Sequence, residues 1–428
     1  CTYLVNYIIM YTYYYEANEL YTCISLARYT TIGIMELHQI DCFKINLKMF
    51  RFTGIWPGDD SSRSYSYYSK ALTMTLVYVY FVLFSINFYF LPKRIDIFID
   101  DLMFYFTDCA VLSKVLTFLL MHKKIVAILD VLESEIFQPD DAEGKAIIAK
   151  AKKFNKIYWK AVAFMSVTAN FALNVPLILH FIKGTELLFP VCSYGFISES
   201  FRDMFVYPLY FYQYFGITLH TLYNLNIDTF FLGLLIFIIA QLDVLDVKLR
   251  KVTDENQLDN EDTEISRQPR DRNKEAVIKM NKCIIHFDEV GRFCDLVEEV
   301  FSVTLFVQFG MASCIICVCL VRFTMPAPLH YCLFLGFYMG VMILQIMVPC
   351  WFGTRIMEKS NLLAFSIYNC DWTSRSRQFK SNMRIFVERT KKPLSITGGK
   401  MFCLSLPAFT SIMNTAYSFF TLLQQMQD

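Results

Sequence analysis

Residues 204–242 read MFVYPLYFYQYFGITLHTLYNLNIDTFFLGLLIFIIAQL. Most positions are apolar or aromatic, and the polar residues His220, Asn224 and Asp228 recur every four, on one face of a helix. A bilayer core about 30 Å thick takes roughly 20 helical residues to cross. The run is far longer than that, so it reads as a helix that crosses a membrane and continues into water. It ends at DVLDVKLRK, 243–251, where charge takes over.

Six further apolar stretches lie around it, at 71–91, 102–121, 157–182, 301–321, 329–352 and 401–423. Composition agrees: at 55% hydrophobic, 17% aromatic and 18% charged, the chain holds more apolar surface than one soluble core of 428 residues needs. The expected fold is all-α and integral to the membrane, with seven transmembrane helices. Residues 1–34 are Tyr-rich and lack the pattern of a secretory signal, while Met35 opens a more ordinary start. They read as an extension that is not native or as an unusual tail.

Lys and Arg set the orientation, because short cytoplasmic loops retain them. Residues 35–70 carry five, 122–156 seven, 248–297 ten and 354–400 ten. On the other face, 92–101, 183–203 and 322–328 carry five between them, and the tail 424–428 none. This asymmetry predicts a cytoplasmic N-terminus and, after an odd number of spans, an extracellular C-terminus. A G-protein-coupled receptor would need the basic loops outside. A net charge of +1, with no basic soluble face, argues against nucleic acid.

The cytoplasmic loops are not all alike. VTDENQLDNEDTEISRQPRDRNKE, 252–275, has almost no apolar residues and reads as a solvated linker. MNKCIIHFDEVGRFCDLVEEVFS, 280–302, places apolar residues at helical spacing, so the fifth helix begins below the membrane. NLLAFSIYNCDW continues the sixth, and RQFKSNMRIFVERTKK is a short amphipathic helix before the seventh. Segments 243–300 and 353–400 are therefore expected to form a cytoplasmic anchor bundle.

Chemical signatures are sparse. The fourteen Cys are scattered, with Cys192 alone in an outer loop, so no disulfide framework is implied. Cys314, Cys317 and Cys319 lie inside an apolar span with no second ligand pair, and packing is the expected role. No phosphate-cradling Gly loop, nucleophile elbow or HExxH is present. Neither an enzyme nor a cofactor is expected. The His220, Asn224, Asp228 stripe fits an interhelical hydrogen-bond set or a proton relay. Asp108 in span two must face protein or water, as an ion-pathway group, a pocket group or a structural partner.

In span seven, Ser411, Asn414, Ser418, Thr421 and Gln425 follow spacings of 3, 4, 3 and 4 and share one face. Phe409, Ile412, Met413, Ala416, Phe420 and Leu423 cover the other, and Leu422 and Met426 flank the stripe near its end. Two arrangements fit. The stripe packs against neighbouring helices, or it lines a pore with an apolar constriction beside it.

The chain resembles the insect odorant receptor family. The resemblance runs from FRFTGIWPG at 50 through NKCIIHFDEV and QIMVPCWFGTRIMEKSNLLAFSIYNCDW to KPLSITGGKMFCLSLPAFTSIMNTAYSFFTLLQ, where Tyr417-Ser418-Phe419-Phe420-Thr421-Leu422-Leu423 is the most recognisable motif. It implies a ligand-selective subunit of a nonselective cation channel, a heterotetramer with the odorant co-receptor, gated by small volatile apolar molecules in the dendritic plasma membrane of olfactory neurons. It also implies that the last helix lines the pore, with Leu422 and Met426 at the gate and Gln425 beside them. Leu and Met here replace the co-receptor's Val and Leu. Family pockets occupy the outer halves of spans two, three, four and six, which here offer Phe104, Phe106, Leu173, Asn174, Tyr210, Tyr214, Phe334 and Tyr338. A gustatory receptor of the same superfamily shares this topology. A transporter would show an internal repeat, and none is apparent.

Overall fold

The computed structural model describes residues 39–56, 63–91, 94–172, 177, 180–182, 184, 187, 189, 191–253 and 269–425. The expectations for 1–34, for most of the 252–275 loop and for the 426–428 tail lie outside these residues, as does much of span three beyond 172.

Apart from one short hairpin and the connecting turns, the described chain is helical. In order it forms α1 (Lys44–Phe52), α2 (Arg63–Tyr89, with a π-helical stretch at Met74–Val79), α3 (Ile95–Leu120), α4 (His122–Leu132) and α5 (Ala142–Ala172). Then come α6 (Glu199–Met204), α7 (Val206–Arg250), α8 (Pro269–Phe323), α9 (Leu329–Tyr368) and α10 (Arg377–Thr390). Strands β1 (Thr397–Gly398) and β2 (Phe402–Cys403) precede α11 (Leu406–Gln425).

Five of these helices, α2, α3, α7, α8 and α9, are long and apolar enough to cross a membrane. The 20-residue α11 is not among them, because its Ser, Thr and Asn face lowers its mean hydropathy. The continuation read from the 204–242 run is present: α7 runs unbroken through Asp243 and Asp246 to Arg250. Helices α8 and α9 likewise run past their apolar stretches, α8 starting at Pro269 and α9 ending at Tyr368. Ser376 caps α10, its hydroxyl accepting from the Phe379 amide. Span seven begins later than its hydropathy suggests, since Phe402 and Cys403 are strand and helix starts only at Leu406.

The core forms around α7. Between Phe230 and Ile238 every α7 position other than Gly233 is a large apolar side chain buried in the bundle, and a helix apolar all round must be enclosed. Phe43 and Phe50 of the N-terminal segment are fully buried against it. Their rings lie 5.1 and 5.6 Å from Phe230, and Phe118 and Phe301 extend the aromatic chain. Polar anchors hold α1 in place: Asn46 Nδ2 donates to Asn226 O and Thr229 Oγ1, and Tyr223 OH donates to Thr53 O at 2.7 Å. The segment before the first span is thus part of the bundle.

The two ends of the bundle differ. At one, short connections join α2 to α3 and α8 to α9, and a small cluster of Phe84, Val191, Cys192 and Tyr194 sits under the segment before α6. At the other, the extensions of α7, α8 and α9 pack on one another, with α4 against α8 and α10 against α8 and α9. The hairpin sits on this second half. Gly399 N donates to Ser302 O of α8 at 2.8 Å, and Thr397 N to Glu298 Oε2. The turn needs positive φ at Gly399 (59°), a conformation glycine adopts freely.

Candidate functional site

The hairpin aims α11. Leu404 is fully buried, and its carbonyl oxygen lies where a Cβ on Gly353 would be, 2.2 Å away, so α9 meets the chain just before α11 at backbone contact. Leu406 N then donates to Thr354 Oγ1 of α9 at 2.9 Å, which fixes where the last helix starts. From there α11 lies along α8 and α9. Ala416 is buried, and Phe409, Ile412 and Met413 pack on the core as half-buried residues.

The opposite face of α11 is left open among the described residues. Ser411, Asn414, Ser418 and Gln425 are exposed, and Thr421 is half-exposed. Thr410, Thr415, Ser418 and Thr421 donate their hydroxyls to carbonyls of their own helix, on Leu406, Ser411, Asn414 and Ser418. An open groove of about 600 Å³ runs along this face, lined by Pro407, Thr410, Ser411, Asn414, Thr415 and Ser418. Pro407, Thr410 and Thr415 were not singled out in sequence, although each stands three or four residues from Ser411 or Asn414. Leu422 is 52% exposed near the far end. Met426 lies outside the described residues.

Of the positions expected around a ligand, the structure brings three together. The Phe334 and Tyr338 rings stack at 6.1 Å, and Phe104 of α3 lies 6.0 Å from Tyr338. Thr107 Oγ1 and Tyr338 OH share a 2.5 Å hydrogen bond across the α3–α9 seam. One turn toward the short-loop end, Tyr331 lies 6.2 Å from Phe334, and Asp100 accepts from both Tyr331 OH and Arg322 Nε. The helical spacing 331, 334, 338 is the signal that would have found Tyr331. Phe106 packs instead on the main core. Tyr210 is buried and Tyr214 half-buried, and among the described residues no ring contact joins either to the trio. Leu173 and Asn174 lie outside the described residues.

The polar stripe of α7 is an interhelical hydrogen-bond set. His220 Nδ1 lies 2.7 Å from Asp108 Oδ1, and His220 Nε2 lies 3.0 Å from Leu76 O. Two turns on, Lys114 Nζ contacts Asp228 Oδ1 at 2.6 Å and Asn224 Oδ1 at 2.5 Å. Gln345 Nε2 bonds both Asn224 and Asp228. Gln345 is on α9 four residues before Pro349, whose missing N–H leaves the Gln345 carbonyl without its helical donor. Three helices thus meet at one polar knot that pairs the polar side chains each carries into the apolar interior.

Long apolar helices closed around internally paired polar groups define a polytopic membrane protein. The chain belongs to the 7tm Odorant receptor family, whose model matches residues 94–417. Among curated relatives it is similar to Odorant receptor Or1 of Anopheles gambiae, 24% identical with 90% of this chain and 96% of that one covered. Odorant receptor 46a, isoform B, of Drosophila melanogaster is 22% identical, over 90% of this chain and 98% of that one. Among solved structures, the insect olfactory receptor OR5 from Machilis hrabei in complex with eugenol superposes with a TM-score of 0.74 at 17% identity, over 91% of this chain and 99% of that one. A second structure of the insect olfactory receptor OR5 from Machilis hrabei gives 0.72 at 18% identity, over 90% of this chain and 97% of that one.

Proposed function

We propose that this odorant receptor is the odorant-binding subunit of a ligand-gated, nonselective cation channel. It works with the odorant co-receptor as a heterotetramer in the dendritic plasma membrane of olfactory neurons. The N-terminus and the helix extensions are cytoplasmic, and the short-loop end is outside, in keeping with the Lys and Arg distribution. The observation that carries the channel reading is the polar face of α11. Its hydroxyls and amides form an open groove that no helix among the described residues covers, where a buried interhelical set would be paired like the α7 stripe. Four such faces around an axis make a wet path, and Leu422 with Met426 supplies an apolar constriction near its outer mouth. The intracellular helices hold the subunits together.

Ligand binding falls to the short-loop end, where Phe104, Phe334 and Tyr338 offer aromatic surface with few polar groups, suited to a small volatile molecule bound mainly by burial. The eugenol complex of the Machilis hrabei receptor supports a small-molecule ligand here. Voltage-clamp recording of this chain against a volatile panel, with and without the co-receptor, tests the reading. Ligand-evoked cation current in co-expression alone is the expected result. Current that persists without the partner, or a purely second-messenger response, would overturn it.

A further inference from the structure

Arg322 closes the last turn of α8, and only 7% of its surface is exposed. Its Nε donates to Asp100 Oδ1 at 2.9 Å, and its guanidinium carbon stands 4.6 Å over the Tyr331 ring. Nη1, on the part of the guanidinium away from that Nε contact, is buried and has no hydrogen-bond partner. A buried donor on a charged group is costly to leave unpaired, so its bare state calls for an acceptor.

The surroundings say which kind. Arg322 heads a column of rings in which each lies about 6 Å from the next, Tyr331, Phe334, Tyr338 and then Phe104. The other polar groups of the column are taken: Tyr331 OH by Asp100, and Tyr338 OH by Thr107 and the Met103 carbonyl. Among the described residues of the column, Nη1 is the buried donor left over. Asp100 already neutralises the guanidinium, so a second carboxylate there would itself be left without a compensating cation.

We infer that Arg322 is a specificity-determining residue, whose Nη1 hydrogen-bonds the oxygen of a neutral carbonyl ligand while the ligand's carbon skeleton lies along the Tyr331, Phe334 and Tyr338 rings. The inference rests on the reading of this seam as the ligand pocket. It narrows the ligand class to ketones and esters over hydrocarbons of the same shape, with carboxylic acids disfavoured in their ionised form.

Isosteric pairs isolate the oxygen: acetophenone against α-methylstyrene, and 2-heptanone against 2-methyl-1-heptene. Apparent affinity is read from concentration-dependent thermal stabilisation of the purified full chain in detergent, a readout independent of gating. Binding that selects the ketones without evoking current would fault the channel reading and leave this one standing. For the intact protein the ketone is expected to bind about ten- to a hundredfold more tightly than its alkene partner. Arg322→Lys keeps the ion pair to Asp100 but removes the planar fork, and its ketone-to-alkene ratio is expected to fall to about one. If that variant does not fold, the double variant Asp100→Asn with Arg322→Gln replaces the pair by two neutral amides and serves the same comparison. Equal binding of ketone and alkene by the intact protein, or a preference that survives in the folded variant, overturns the inference.

Discussion

Lys114 Nζ lies 2.6 Å from Asp228 Oδ1, the Lys side chain having no exposure and the Asp side chain 26%. The two residues join α3 to α7 within the apolar interior, and Gln345 of α9 closes the knot. An ion pair in that setting is not itself a large source of stability, because desolvation offsets attraction, but removing one partner strands a charge. Lys114→Met is therefore expected to destabilise by roughly 3 kcal/mol or more. The double variant Lys114→Met with Asp228→Asn should recover most of that loss. Thermal melting of the detergent-purified receptor checks both, and a double variant no better than the single one would show that the knot acts in some other way.

Gly353 gives a second test, one on the link between α9 and the hairpin before α11. Alanine within a helix ordinarily gains about 1 kcal/mol over glycine. Here its methyl would stand 2.2 Å from the Leu404 carbonyl oxygen, which is backbone and cannot swing away. Gly353→Ala should lower the melting temperature, by an overpacking cost of roughly 1–3 kcal/mol, and, if α11 is the pore helix proposed above, alter gating as well. A melting temperature at or above that of the unaltered chain would mean that the hairpin is free to move.

These two sites show what the sequence could and could not tell. Hydropathy is summed over a single segment, so the apolar stretches, the continuation of α7 past Asp243 and the two faces of α11 were legible from one chain alone. The partner of Lys114 was not. It depends on where α3 crosses α7, and nothing in either segment's spacing records that. The hairpin is not legible, because strands of two residues carry no periodicity and the end of its SITGGKMFC segment falls inside an apolar run. Within the expected ligand set, position along a span was legible, but rotation about the helix axis was not. Phe104 therefore faces Tyr338 while Phe106 faces the core.

His122 opens α4, its ring edge-on to Trp56 at 4.5 Å. Burial pushes its pKa down to about 4, against 6.5 ordinarily. The folded imidazole is therefore neutral where the unfolded one takes a proton. Stability from this group is full above about pH 6.5, is lost progressively as pH falls toward 4, and changes no further below that. The total amounts to roughly 3 kcal/mol. His122→Phe keeps an aromatic edge against Trp56 and removes the titration. Melting temperatures measured between pH 7.5 and 4.5 should fall less steeply in the variant, and identical slopes would assign the acid sensitivity to other groups.

The exposed polar face of α11 allows the proposed conduction role to be tested apart from folding. Asn414 is exposed on the groove and far from the Ala416 face that packs on the core. Asn414→Leu should therefore leave the melting temperature within about 0.5 kcal/mol of its starting value, as surface substitutions do. In a channel the same change puts an apolar group on the wet path, where dewetting raises the barrier to ions. Ligand-evoked current per surface-expressed receptor is then expected to fall several-fold, with altered relative permeability to sodium and potassium. Ala416→Leu is the counterpart on the packed face and should destabilise the fold. Unchanged current and permeability in a well-expressed Asn414→Leu receptor would count directly against α11 as the pore wall. A loss of expression in Asn414→Leu matching that of Ala416→Leu would mean that the groove is a subunit contact and not an aqueous path.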